Sequence, residues 1–326
     1  MRLDRFITLN LVRPFRHALS RARIFGSRTS DFGRTLPILM YHSISEDAEP
    51  GVHPYYRVCT SPQRFREQMQ WLKDNGCRGV TLSTGLARFN SRHASTPAPN
   101  ADSISARKPG KEGRREAGHD HESPITPHAS RPTPHVAITF DDGFLDFYTN
   151  AAPILREFGF QATMFLPTGL IGGSNGFKNR DCMNWKQVEE LHGLGCEFGS
   201  HTVNHPELAR LSWDEIANEL GGAKSEIENR LGTPVKAFAY PYAFPQARRD
   251  FVDQFKELLM ADGYENCVTT QIGRYRPGDD LLQIKRLPVN SLDDSALFQA
   301  KLIGAYDWLA DLQGLSKALR RLRGAV

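Results

Sequence analysis

Short apolar runs of strand length alternate with amphipathic helical stretches along this 326-residue chain, and no other feature narrows its fold as much. "LPILMYHSI", "RGVTLS", "HVAITF", "QATMFLPTG", "CEFGSHT", "VKAFAYPY", "ENCVTT" and "LLQIKRLPV" read as strands. Between them, "SPQRFREQMQWLKDNG", "FLDFYTNAAPILREFG", "NWKQVEELHGLG", "SWDEIANELGGAKSEIENRLG" and "ARRDFVDQFKELLMADG" carry helical periodicity. Ser61 caps the first of these helices, with Pro62 in its first turn. Nearly continuous apolar strands are buried on both faces, which implies a parallel sheet covered by helices. Seven or eight such units favour a closed α/β barrel over an open sheet. Polar motifs fall at the C-terminal ends of the strands, where parallel α/β folds build their sites.

Composition limits the alternatives. The net charge of +4 is mild, and no dense basic and aromatic stripe marks a nucleic-acid face. Cys59, Cys77, Cys182, Cys196 and Cys267 are scattered and form no CxxC, so neither a disulfide framework nor a zinc knuckle is expected. No stretch reaches the roughly 18–20 apolar residues of a membrane span. Two segments stand apart from the alternation. "MRLDRFITLNLVRPFRHALSRARIFG" spaces Leu3, Ile7, Leu11, Phe15 and Leu19 by four among many arginines, a pattern that suits an anionic membrane surface or packing on the chain's own domain. Residues from about 90 to 134 are rich in Ser, Pro, His, Arg and Gly and poor in large apolar side chains, so they read as a disordered insertion. Its "GHDHE" reads as part of a solvated loop rather than a metal site.

The chemistry concentrates in two motifs. "HVAITFDDGF" ends an apolar strand in adjacent carboxylates, Asp141 and Asp142. Two like charges at one site call for a positive partner. Two units later "EFGSHTVNHPEL" places His201 and His205 on a turn beyond another strand. Taken alone, the first motif could be a strand-ending turn and the second a pair of surface or capping histidines. Together, at one end of one sheet, two imidazoles and a carboxylate make a familiar catalytic metal set, and a cation there would resolve the paired aspartates.

"TFDDG" and "SHTVNH" resemble the first two motifs of the polysaccharide deacetylase family, the NodB-homology carbohydrate esterases of family 4. The resemblance runs from about Leu36 to Val289 without the insertion. "ILMYHSI", "NWKQVEELHGLGCEFGSHT" and "VTTQIGRYRPGDDLLQIKRLPV" point to the branch associated with exopolysaccharide biosynthesis. The implied fold is a distorted (β/α) barrel of NodB-homology type. The implied organisation is a basic segment at 1–34 followed by a deacetylase domain at 35–326, interrupted at about 90–134.

The resemblance also implies roles. Asp142, His201 and His205 would bind a divalent metal, usually zinc, with cobalt or nickel as alternatives, and Asp141 would be the general base. In "FAYPYA" the backbone N–H of Tyr242 would support the oxyanion, since Pro241 has none. This chain departs from the family there: Ala239 stands where an arginine often orients the base, and Ala243 replaces a glycine. Arg286, in "IKRLPV", is the candidate substitute, against the alternative of a surface or strand-edge arginine. The family's late histidine, which protonates the leaving amine, is also missing, because "RLPVNS" offers only Asn290. His42 from "LMYHSI" is the candidate general acid, unless it is a structural histidine. Trp185 and Tyr240 could line a sugar-stacking groove or simply pack in the core.

The expected activity is metal-dependent N-deacetylation of N-acetylated sugars in a polysaccharide or its precursor. Hydrolysis of a non-sugar amide or imide, and a non-catalytic carbohydrate-binding or assembly role, stand as alternatives. The expected partner is an N-acetylated oligo- or polysaccharide, with peripheral membrane contact through the basic N-terminus as a further possibility. A cytoplasmic or membrane-peripheral location is expected, because no export signal is evident.

Overall fold

The computed structural model describes residues 2–14, 33–94, 133–175, 180–310 and 313. Seven parallel strands close on themselves: β1 (Ile38–Tyr41), β3 (His135–Phe140), β4 (Thr163–Leu166), β5 (Glu197–Ser200), β6 (Ala237–Ala239), β7 (Asn266–Ile272) and β8 (Ile284–Pro288). Around the ring the order is β1-β8-β7-β6-β5-β4-β3, and β1 pairs with both β8 and β3 to shut it. β2 (Arg78–Val80) pairs only with the first half of β3, from Arg78↔His135 to Val80↔Ala137, so it flanks the ring instead of joining it. Of the expected seven or eight units, seven make the barrel.

Helices cover the outside. α2 (Pro62–Asp74) begins where Ser61 Oγ accepts from Arg64 N, and it buries Phe65, Met69 and Leu72 along one stripe. α4 (Ala152–Phe158) follows a π-helical turn at Phe147–Ala151. α5 (Trp185–Gly193) and α6 (Trp213–Leu231) both open with capping boxes, Asn184 with Gln187 and Ser212 with Glu215. α7 (Arg249–Ala261) and α8 (Ser295–Leu302) complete the cover. At the N-terminus, α1 (Leu3–Ile7) runs on into a π-helical turn at Thr8–Val12. Among the described residues no helix is long and apolar enough to cross a membrane.

One expectation is corrected here. α3 (Leu82–Ala94) occupies the start of the stretch read as an insertion from 90. Its buried Leu82, Leu86 and Phe89 follow helical spacing, whereas the "NSRH" after them is polar and exposed to half-buried. Composition alone therefore started the insertion too early. Residues 95–132, with "GHDHE", lie outside the described residues.

Candidate active site

Asp141 and Asp142 follow β3 directly, yet their side chains do not alternate as a strand would dictate. Asp142 has φ 76° and the next residue, Gly143, has φ 65°. Two successive left-handed residues turn the chain off the strand axis, so both carboxylates can serve one mouth. Thr202 (φ 70°), His205 (φ 54°) and Tyr242 (φ 56°) are also left-handed. Non-glycine residues rarely adopt this conformation, and such strain clusters where a site demands it.

The histidine loop is built to hold its shape. Gly199 permits close packing of β5: a Cβ there would lie 2.5 Å from the Phe165 ring and 2.9 Å from the Ala237 carbonyl oxygen. Two residues on, His201 Nδ1 meets the Ala239 carbonyl oxygen at 2.7 Å. That carbonyl can only accept, so Nδ1 carries the proton and Nε2 is left as a ligand atom. Thr202 Oγ1 accepts from the His205 amide at 2.9 Å. Glu219, on α6, accepts from the amides of Val203 and Asn204 and from the Asn204 side chain at 2.7–2.9 Å. Glu219 escaped sequence reading because it lies on a helix, 14 positions beyond His205, with no motif around it.

Asp142 sits between the two imidazoles. His205 Nε2 and His201 Nε2 lie 3.3 and 3.6 Å from its Oδ1. Donors bound tetrahedrally at about 2.0–2.1 Å stand roughly 3.4 Å apart, so this spacing suits a zinc-like cation. Both Asp142 carboxylate oxygens are buried and lack a hydrogen bond. Burial opposes ionisation of Asp142, but His201, His42 and His205 outweigh it and hold the carboxyl well below its usual range. Burial, with His201 next to it, brings His205 down to about 4, leaving its imidazole neutral near pH 7. Among the described residues these three form a group able to hold a metal ion.

Asp141 has a different environment. Arg286, wholly buried, donates Nη1 to Oδ1 and Nη2 to Oδ2, both at 2.7 Å. Its Nε donates to the Thr269 carbonyl oxygen and its Nη1 to Thr139 Oγ1. Ala137, Ala237 and Ala239 keep the barrel interior small-sided, and the guanidinium reaches in from β8 over the Phe165 ring. Burial works against the charge on Asp141, but Arg286 prevails and the carboxyl is lowered. His42 Nε2 stands 3.9 Å from Asp141 Oδ2, with 19% of its side chain exposed.

These groups open into a cavity of about 830 Å³. Tyr242 lines it, its ring edge-on to His205, and Thr270 Oγ1 donates to the Tyr242 carbonyl oxygen while accepting from Phe244 N. Another wall is the loop from Glu49 to Val58, which sequence reading passed over. The Glu49 carboxylate accepts from the amides of Val58 and Cys59, and Asn290 donates to the carbonyls of Pro54 and Arg57. Gln313 adds a third wall by bridging Ile272 N and the Thr270 carbonyl oxygen.

The two aromatic candidates are corrected. Trp185 does not line the cavity; its indole packs against the Arg230 guanidinium, 5.2 Å from ring centre to carbon. Tyr240 reaches the cavity wall but is 2% exposed, wedged edge-on against Phe244 and Phe255. Trp185 thus lies off the cavity, and Tyr240 is closed in by its aromatic neighbours.

Comparison with known proteins agrees with this geometry. The family profile described as polysaccharide deacetylase matches residues 128–260. YxkH of Bacillus subtilis, whose name places it provisionally among polysaccharide deacetylases, is 26% identical over 255 residues, 78% of this chain and 71% of that protein. Poly-β-1,6-N-acetyl-D-glucosamine N-deacetylase of Staphylococcus aureus is 32% identical over 120 residues, and the match spans 34% of this chain and 41% of that enzyme. Among solved structures, Streptococcus pyogenes deacetylase PplD in complex with acetate superposes with TM-score 0.61 at 25% identity, over 82% of this chain and 98% of that one. IcaB from Ammonifex degensii shares the fold, with TM-score 0.59 at 22% identity over 83% and 97%.

Proposed function

Since this chain belongs to the polysaccharide deacetylase family, hydrolases of non-peptide carbon–nitrogen bonds, we propose that it is a metal-dependent N-deacetylase of N-acetylated sugars in a bacterial polysaccharide or its precursor. One observation carries this reading: a buried Asp142 without hydrogen bonds, set between two imidazoles, stands beside an Asp141 clamped by arginine. The Staphylococcus aureus relative's name supports the substrate class.

A divalent cation on Asp142, His201 and His205, zinc first and cobalt or nickel as alternatives, would polarise the acetamide carbonyl and acidify the attacking water. Asp141 takes that water's proton as its oxygen adds to the carbonyl carbon. Arg286 keeps Asp141 ionised and aimed. The backbone N–H of Tyr242 supports the oxyanion. His42, on the cavity side of Asp141, protonates the amine nitrogen as the carbon–nitrogen bond breaks, so acetate and a free amino sugar leave.

The test pairs metal content with turnover. Plasma mass spectrometry of the untagged chain should find near-stoichiometric metal, lost in His205→Ala. Acetate release from acetylated glucosamine oligosaccharides should vanish in Asp141→Asn. A chain that stays empty after zinc reloading and releases no acetate would sink the proposal.

A further inference from the structure

The N-terminal helix docks with its polar side down. Arg2 pairs with Asp293 at 3.1 Å and with Asp4 at 2.7 Å, and Tyr306 donates to Asp4 at 2.7 Å. Arg5 Nε donates to Asp294 at 3.0 Å, and the Trp308 indole N–H donates to Thr8 at 3.0 Å. Asp293 is fully buried and also holds Lys301, so this clamp fixes which way the helix faces. Leu3, Phe6 and Leu11 are thereby turned outward, 70%, 38% and 59% exposed. Leu3 is the most exposed large apolar side chain among the described residues. Ordinary amphipathic helices bury that stripe.

We propose that this outward face seats the protein on an anionic phospholipid bilayer. The chain carries five arginines and no acidic residue between positions 13 and 28, directly after the helix. Exposed apolar side chains followed in the sequence by a run of arginines are what an interfacial anchor needs, an apolar part for the acyl boundary and a basic part for the headgroups. A second copy of the chain fits less well, because this apolar face is small. Three side chains expose far less than the roughly 800 Å² per partner of a stable interface. The clamp further ties the anchor to the active-site mouth. Asp293 accepts from Asn290 N, and Asn290 holds the Pro54 and Arg57 carbonyls of the cavity wall. Val52 and Tyr56 on that wall are also exposed.

The full chain would be sedimented with vesicles of phosphatidylglycerol and phosphatidylethanolamine, and with vesicles of phosphatidylcholine alone. Binding should favour the anionic vesicles and weaken between about 50 mM and about 500 mM salt. Leu3→Asp/Phe6→Asp/Leu11→Asp should cut the bound fraction at least about tenfold. Its thermal midpoint and its turnover of soluble oligosaccharide without vesicles should not change. That soluble assay reads the deacetylase chemistry separately, so either idea can fail alone. Equal binding by the triple variant, equal binding to both vesicle types, or no vesicle binding would overturn the proposal. So would light scattering that shows a dimer abolished by the variant in place of vesicle binding.

Discussion

Arg286 and Asp141, 145 positions apart, meet inside the barrel through two parallel N–H···O hydrogen bonds of 2.7 Å each. The fork geometry fixes the plane of the carboxylate as well as its charge. It also explains how the chain dispenses with an arginine two residues before Pro241. The cation arrives from β8 instead of β6, and Ala239 keeps its position on β6 small.

Arg286→Ala should remove a positioning residue and leave a buried carboxylate unpaired. Breaking one side of a buried pair costs about 3–5 kcal/mol, so the thermal midpoint should drop substantially. Turnover should fall about 10²-fold, toward the low end of what loss of a general base costs. Because Arg286 lowers the Asp141 carboxyl, its removal raises it, and the acidic limb of kcat/KM should move to higher pH. Arg286→Lys keeps the charge but loses the fork, and should fall between the two. An unmoved acidic limb in Arg286→Ala would argue against Asp141 as the base.

His42→Ala should lower kcat by about 10²–10⁴-fold while metal content stays intact. A variant that keeps wild-type turnover would remove His42 from the mechanism.

Metal uptake should be coupled to protons. In the metal-free protein burial works against charge on His201, but Asp142 and Asp141 prevail and its pKa is raised above 6.5, so it holds a proton near neutrality. A cation must displace that proton, and affinity should therefore rise with pH through the neutral range. His205 sits near 4 and is already neutral there, so it adds a second dependence only below about pH 5. Calorimetry in buffers of different ionisation enthalpy should find close to one proton released per zinc at pH 6. Release of two would place both histidines in the charged form and refute this assignment.

What the sequence disclosed was local or periodic. A buried strand running into two aspartates, and two histidines on the next turn but one, are contiguous signals. Arg286 could be proposed because the strand "IKRLPV" ends at the same mouth as Asp141 and carries a cation where the expected arginine before Pro241 is absent. The Glu49–Val58 wall was not readable, since its shape depends on contacts from Asn290 more than 230 positions away. Trp185 misled for a related reason: an aromatic residue near a motif looks the same whether it faces a groove or packs beneath Arg230. The eventual facing of α1 was hidden as well. Its apolar spacing predicted a buried or membrane-facing stripe, and only the Arg2, Asp4 and Arg5 pairs show which side meets the domain.

Glu219 should matter to metal binding although it touches no ligand atom. Its carboxylate gathers three N–H groups of the Val203–Asn204 turn and so holds His205 at its left-handed φ. Glu219→Ala should weaken zinc about 10–100-fold, as loss of an outer partner does elsewhere, with a smaller effect on stability. Zinc titration against a competing chelator would measure it; unchanged affinity would show that Thr202 alone holds the loop.

Gly199 offers the sharpest test of how packing sets the site. A methyl group there would meet the Phe165 ring at 2.5 Å and the Ala237 carbonyl oxygen at 2.9 Å, and the backbone atom cannot give way as a side-chain tip could. Gly199→Ala should therefore push β5 away from β6 and cost about 1–3 kcal/mol in overpacking. The same shift would stretch the 2.7 Å contact from His201 Nδ1 to the Ala239 carbonyl oxygen, which fixes the ring's tautomer. Zinc affinity should consequently fall even where the variant remains folded. Gly199→Ala/Phe165→Leu, which removes the ring from the clash, should recover part of both losses. If thermal melts show recovered stability while chelator titration shows no gain in zinc affinity, His201 is not held through this packing.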